Sequence, residues 1–408
     1  MRKIMAACIE GRLLTKMLAF LKRLSKLIIS RIDYLFGLIV RLIYRLFVKR
    51  DPNKIMFITS SGDYTCNPKY ITEQLIAEGA NVNLIWSSRK TAVKEGQFPE
   101  QVTVVDKQTY PYFKELYSAS IIVTNALAIF KRPYPGFRGQ ILIQTWHGSL
   151  GIKKIEHKGP RWLKKMQKMS ATTSYLISNS DFEDNVYRNS YWPKGEILQL
   201  GHARNDILHH VNEEQHRVLK EKIFDRYNID GNPNIILYAP TYREDHSLES
   251  YDLSLELVVE AAKQRFGGDW VVLTRYHAFI RQKIARMKKS QETIDVSSYP
   301  DMQELLTIAD IGITDYSSWI FDYMFTKKPA FIYASDIERY NDTRGFYYRL
   351  EETPFPIATT NEALRKHILA FEPTSYNEKT IKFIESKGCM EDGKASERIV
   401  KKIHELME

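Results

Sequence analysis

The chain has 408 residues, 44% hydrophobic and 26% charged, which is enough to bury ordinary globular cores, and no low-complexity tract or solenoid-period repeat interrupts it. Three scattered cysteines, Cys8, Cys66 and Cys389, form neither a disulfide framework nor a metal-ligand spacing, which fits a reducing cytoplasm. The net charge of +10 sits wholly in residues 1–50, with 12 Lys/Arg against 2 Asp/Glu; the remaining 47 basic and 47 acidic residues balance, so the body lacks the basic bias of a nucleic-acid binder.

The first element is this basic arm. From Leu13 to Val48 it is rich in Leu, Ile and Phe, interrupted by Lys16, Lys22, Arg23, Lys26, Arg31, Arg41, Arg45 and Lys49. Its longest uncharged run, Tyr34–Val40, is far short of the ~20 apolar residues a spanning helix needs. No small-residue cleavage site follows, which argues against a secretory signal. At about 100° per residue the basic positions fall within about half of the helical circumference, the pattern of an interfacial amphipathic helix. The alternative is a packing helix with a solvated polar face.

Beyond Asp51-Pro52, short apolar runs alternate with amphipathic stretches, the pattern of parallel α/β layers. Strands are predicted over Ile55–Thr59, Val82–Trp86, Val102–Val105, Ile121–Thr124, Ile141–Gln144, Tyr175–Ile177 and Ile197–Leu200. A boundary near residues 202–232 precedes a second set over Ile235–Tyr238, Trp270–Leu273, Ile294–Val296, Ile311–Thr314 and Ala330–Tyr333. Helices are predicted over Lys69–Glu78, Leu255–Phe266 and Met302–Ala309. Ligands of such sheets sit beyond the carboxyl ends of the strands.

Four strand tips carry chemistry. The segment Gln144-Thr145-Trp146-His147-Gly148-Ser149-Leu150-Gly151 puts a histidine, suited to general-base work, beside glycines that admit a ligand. The segment Ala239-Pro240-Thr241-Tyr242-Arg243 offers a hydroxyl and a fixed cation for phosphate oxygens. Arg275-Tyr276-His277 is a second histidine tip, in the opposite half. Thr314-Asp315-Tyr316-Ser317-Ser318 opens a helix whose free N–H groups attract phosphate, with Asp322 one turn further in. The alternatives are, in turn, a histidine bonded to backbone, a turn with a surface arginine, a satisfied histidine and plain serine capping. No HExxH, Walker loop, GxGxxG or D-x-D is present, so neither a metal nor a cofactor is expected.

Taken in order, these segments resemble the CDP-glycerol:glycerophosphotransferase family of teichoic acid and capsule synthesis. The resemblance covers about residues 54–350. It is carried by Asn67-Pro68-Lys69-Tyr70, Thr145-Trp146-His147-Gly148, Arg204-Asn205-Asp206, Tyr238-Ala239-Pro240-Thr241, Arg275-Tyr276-His277, Ile313-Thr314-Asp315-Tyr316-Ser317-Ser318 and Arg344-Gly345-Phe346-Tyr347. The chain departs from the family at Ser149-Leu150-Gly151, at Tyr242 and at His202-Ala203.

The resemblance implies an α/β, GT-B-like fold of two Rossmann-like domains facing a cleft, preceded by the membrane-binding arm. The arm would be residues 1–50, the acceptor-side domain 51–206 and the CDP-donor domain, with C-terminal helices, 207–408. It implies a peripheral protein on the cytoplasmic face of the cell membrane. The donor would be CDP-glycerol or a related CDP-polyol, the acceptor a prenyl-diphosphate-linked saccharide or polymer, and the product CMP. His147 and His277 would be catalytic; Gly148, Arg204, Thr241, Arg243, Arg275, Asp315, Ser317, Ser318 and Asp322 would bind substrate. The rival readings are a nucleotide-sugar glycosyltransferase of the same architecture and a non-catalytic membrane-bound nucleotide-binding module.

Overall fold

The computed structural model describes residues 35, 38, 39, 42, 43, 46–89, 96–107, 109–127, 139–210, 212–243, 249–277 and 293–408. They build two parallel sheets. The first holds β1 (Asp51–Ile58), β2 (Asn83–Ser88), β3 (Val102–Asp106), β4 (Ala119–Thr124), β5 (Ile141–Gln144), β6 (Tyr175–Ser178) and β7 (Glu196–Gln199), in the order β3-β2-β1-β4-β5-β6-β7. The second holds β8 (Asn234–Tyr238), β9 (Trp270–Thr274), β10 (Thr293–Asp295), β11 (Ile311–Thr314), β12 (Ala330–Tyr333) and β13 (Ile357–Ala358), in the order β10-β9-β8-β11-β12-β13.

Every strand pairing is parallel, so crossovers cover both faces and the strands read as continuous apolar runs. Ile121, Ile122 and Val123 are fully buried in the first sheet, as are Ile235, Ile236 and Leu237 in the second. Each sheet reverses its winding once, between β1 and β4 and between β8 and β11. These reversals are where such sheets leave a crevice for ligands. The predicted strands are all present with small end shifts; β13, two residues long, is the addition.

Local signals set the helix ends. The helix Leu255–Phe266 starts where the Ser254 hydroxyl accepts from Leu257 N, and it stops at Gly267, whose φ of +74° suits glycine. The last helix, Ala395–Met407, departs from the sequence division. It packs Ile399, Val400 and Ile403 into the first sheet's core with Ile71 and Leu75, not into the second half from which it emerges. Asp206 caps it from afar, accepting from Ala395 N at 2.9 Å and Ser396 N at 2.7 Å. A side chain on Gly201 would meet the Ala395 Cβ at 2.9 Å, so glycine is required for that docking.

The arm's basic residues from Arg2 to Arg45 lie outside the described residues. Of those described, Leu35, Ile39, Leu42, Ile43, Leu46 and Phe47 are helical and exposed. No helix among the described residues is long and apolar enough to cross a membrane.

Candidate active site

The loop after β5 is tightly held. Gln144 donates its side-chain amide to Ala126 O at 2.8 Å and accepts from Trp146 N at 2.8 Å, while Thr145 N donates to Thr124 O at 2.8 Å. Trp146 (φ +52°) and Leu150 (φ +46°) adopt left-handed backbone, which costs a non-glycine residue of order ~1–3 kcal/mol. They flank His147-Gly148-Ser149. His147 Nδ1 lies 3.0 Å from Asn125 O. A carbonyl oxygen only accepts, so Nδ1 carries the hydrogen and Nε2 is the bare nitrogen. Burial lowers the imidazole pKa against the opposing bond to Asn125, and the charges of Arg204 and Lys153 lower it further. The ring lines a recessed cavity and packs against Trp146, 4.1 Å between ring centroids.

That cavity, about 390 Å³, is lined from the first half by His147, Gly148 and Lys153 and from the second by Ser318 and Arg344. Backbone bonds stitch its two walls together. Lys154 N donates to Gly345 O at 3.1 Å, Tyr347 N donates to Ile152 O at 2.8 Å, and Lys153 pairs antiparallel with Phe346. A Cβ at Gly151 would sit 3.1 Å from the Ser318 Cβ, so the missing side chain is what lets the halves approach. Ser318 makes no side-chain cap bond to the helix Trp319–Tyr323, so the capping alternative is not realised. Lys153 Nζ reaches across to Thr241 Oγ1 at 3.4 Å. Burial, with Arg344 and Arg243 against Asp315, pulls the Lys153 ammonium down to about 8.

Four residues read from the sequence as substrate contacts have their charges committed to protein partners. Arg204 forms a two-pronged pair with Asp322, Nε to Oδ2 at 3.0 Å and Nη2 to Oδ1 at 3.1 Å, and both are buried. Gln303 Nε2 also donates to Asp322 at 3.0 Å. Within the Arg204 guanidinium, Nη1 alone lacks a partner among the described residues. Arg243 Nη1 donates to Asp315 at 2.7 Å, while its Nε and Nη2 hold Asp336 at 2.8 and 2.9 Å. Asp315 in turn accepts from Thr241 N at 2.8 Å and from Tyr316 N at 2.5 Å. Buried charges must be paired, and this pairing is what shapes the tips of β8 and β11. Arg204, Arg243, Asp315 and Asp322 thus also hold the walls in place, whatever they contribute to substrate.

The remaining candidates sit at neighbouring tips. His277 stacks on Tyr242, 4.6 Å between centroids at 30°, and is not among the residues lining the His147 cavity. Arg275 is anchored by its N–H to Tyr238 O at 2.9 Å; burial lowers its pKa, and its Nη1 has no partner among the described residues. Ser317 is half-buried beside Ser318. The sequence did not mark Lys153 and Arg344 as site residues, although Arg344 stands in a quoted segment and Lys153 lies two residues beyond another. Among the described residues no group of three or more His, Cys, Asp or Glu side chains is arranged to hold a metal ion.

The profile of the family described as CDP-glycerol:poly(glycerophosphate) glycerophosphotransferase matches residues 38–405. The chain belongs to this family. It is 32% identical over 387 residues to a teichoic acid poly(glycerol phosphate) polymerase of Staphylococcus epidermidis, covering 89% of this chain and 52% of that one. The chain thus spans about half the length of that relative. A teichoic acid glycerol-phosphate transferase of Staphylococcus aureus is 30% identical over 375 residues, with 86% of this chain and 93% of that one covered. The solved wall teichoic acid polymerase TagF superposes with a TM-score of 0.76 at 30% identity, over 93% of this chain and 95% of that chain. Family membership bears out the resemblance carried by the motifs, and the paired parallel sheets are the fold the chain shares with TagF.

Proposed function

We propose that the protein transfers glycerol phosphate from CDP-glycerol, or a related polyol phosphate from its CDP ester, to a prenyl-diphosphate-linked saccharide or growing polymer in teichoic acid or capsule synthesis. The observation that carries this reading is the His147 imidazole, its Nδ1 bonded to Asn125 O, lining a cavity walled by residues of both halves. The acceptor hydroxyl oxygen attacks the β-phosphorus of the donor. His147 Nε2 takes the hydroxyl proton, the new phosphodiester P–O bond forms, and the bond to CMP breaks, its electron pair leaving with CMP. Thr241, Ser317, Ser318 and the Gly148 backbone serve the donor. Arg275 and His277 offset charge shifting toward CMP. Fixed hydrogen-bond donors of this kind act by electrostatic preorganisation.

In this reading residues 51–206 receive the acceptor and the second sheet binds the donor. The exposed apolar residues Leu35, Ile39, Ile43, Leu46 and Phe47 support an arm that lies on the cytoplasmic leaflet of the membrane. The test follows CMP release from CDP-glycerol with a lipid-linked acceptor and weighs the product. A gain of glycerol phosphate is expected, and His147→Ala is expected to slow turnover by ~10²–10⁴-fold. A base acts unprotonated and burial lowers this imidazole, so the acid limb of kcat/KM is expected below the ordinary value of about 6.5. Nucleoside diphosphate release from a nucleotide sugar would replace this reading with glycosyl transfer, and near-normal turnover of the variant would remove His147 as the base.

A further inference from the structure

Lys153, at the seam of the two halves, is an ammonium without an ion-pair partner among the described residues. Among the described residues its one hydrogen bond is to the Thr241 hydroxyl, at 3.4 Å. Asp315, the carboxylate whose charge acts on Lys153, is already taken by Arg243 Nη1 and two backbone N–H groups. Other charges close to Lys153 add to the positive field: Arg344 from the helix Ile337–Arg344 and Arg243 beyond β8. On its own loop stand His147, whose pKa its charge lowers, and the neighbours Lys154 and Glu156. The Glu156 carboxylate is engaged by the Tyr347 hydroxyl. The lysine backbone is pinned by its antiparallel pairing with Phe346, which sets where the side chain leaves the loop.

A half-buried cation with no anion of its own among the described residues favours one from a ligand. Lys153 rises from the loop that carries the proposed base yet reaches the donor half. The group between them is the one under attack. We infer that Lys153 holds the β-phosphoryl oxygens of the donor, and so tells the intact nucleoside diphosphate ester from the nucleoside monophosphate left after transfer. The inference rests on the reaction proposed above. CMP lacks the phosphoryl group that Lys153 would hold, so the contact is lost when the bond to CMP breaks and nothing at this position retains the product.

The free amine, with its pKa near 8, loses its charge in the mildly alkaline range, whereas a bound diphosphate favours the ammonium. Donor affinity should therefore be flat below about pH 8 and fall about tenfold by about pH 9.

The experiment is calorimetric titration of the full chain with CDP-glycerol and, separately, with CMP. At about pH 7, Lys153→Met is expected to weaken CDP-glycerol about 10- to 100-fold and to leave CMP affinity unchanged. Lys153→Arg, charged throughout, is expected to abolish the alkaline loss. Equal weakening of CDP-glycerol and CMP would reduce Lys153 to a structural strut, and undiminished CDP-glycerol binding by Lys153→Met would also overturn the inference. Wild-type protein that binds no CDP-glycerol would bring down the proposed reaction together with it.

Discussion

At the scale of single residues, the charges divide into those that hold the walls and those left for a ligand. Arg204 and Asp322 show the first kind. Their side chains are 2% and 5% exposed and joined by two parallel hydrogen bonds. Burial disfavours the guanidinium charge, but Asp322 more than offsets it and raises the Arg204 pKa. Taking away one partner strands a buried charge at a cost of roughly 3–5 kcal/mol, whereas replacing both by apolar side chains is often near neutral. Arg204→Met is therefore expected to lower the urea midpoint sharply, and the double variant Arg204→Met, Asp322→Leu to recover much of the loss. A double variant as unstable as the sum of the singles would show that each residue acts through other neighbours. Arg204 Nη1, unpartnered among the described residues, leaves this pair able to influence His147 electrostatically as well.

At the scale of elements, much was legible because burial on both faces writes parallel strands as apolar runs, as at Ile121–Val123 and Ile235–Leu237. The tips were legible for a second reason: His147, Thr241 and Ser318 stand immediately after such runs. What periodicity does not say is what an apolar face packs against. Ile399, Val400 and Ile403 mark a helix face, but nothing local reveals that it crosses to the first sheet or that Asp206 caps it. Nor does the chain announce that Arg243 spends itself on Asp315 and Asp336, since a paired arginine and a ligand-binding one are spelled alike. The arm carries its own prediction. Its exposed Leu46 and Phe47 continue the apolar pattern read from Leu13 onward, and each Lys or Arg near an anionic leaflet contributes ~1 kcal/mol. Removing residues 1–50 is expected to abolish most sedimentation with phosphatidylserine-containing vesicles, with salt weakening what the intact chain shows. Unchanged sedimentation of the truncated protein would place the membrane contact elsewhere.

At the scale of the whole molecule, the cleft depends on how the halves are tied, and a charged network ties them away from the cavity. Lys69 from the first half donates to Asp301 Oδ2 at 2.6 Å and Glu304 Oε1 at 2.5 Å in the second, and Tyr70 OH adds a bond to Asp301 at 3.0 Å. Lys222 holds the other Glu304 oxygen at 2.9 Å, and the Tyr299 hydroxyl donates to it as well. Burial alone would raise the Glu304 carboxyl, but Lys69, Tyr299 and Lys222 hold it down to about 2. A carboxylate depressed in the folded state stabilises it above the unfolded value, about 4.3, and that contribution fades as pH falls toward the folded value. The tie is therefore complete at neutral pH and weakens only in strong acid. Lys69→Met leaves two buried carboxylates short of a cation, raises the affinity of Glu304 for protons and costs roughly 3–5 kcal/mol. Acid titration followed by near-ultraviolet circular dichroism and small-angle scattering should then show the variant expanding at a higher pH than the wild type, with the His147 cavity opening as the halves separate. Coincident acid midpoints would mean that the backbone stitch between 152–154 and 345–347 holds the cleft without this network.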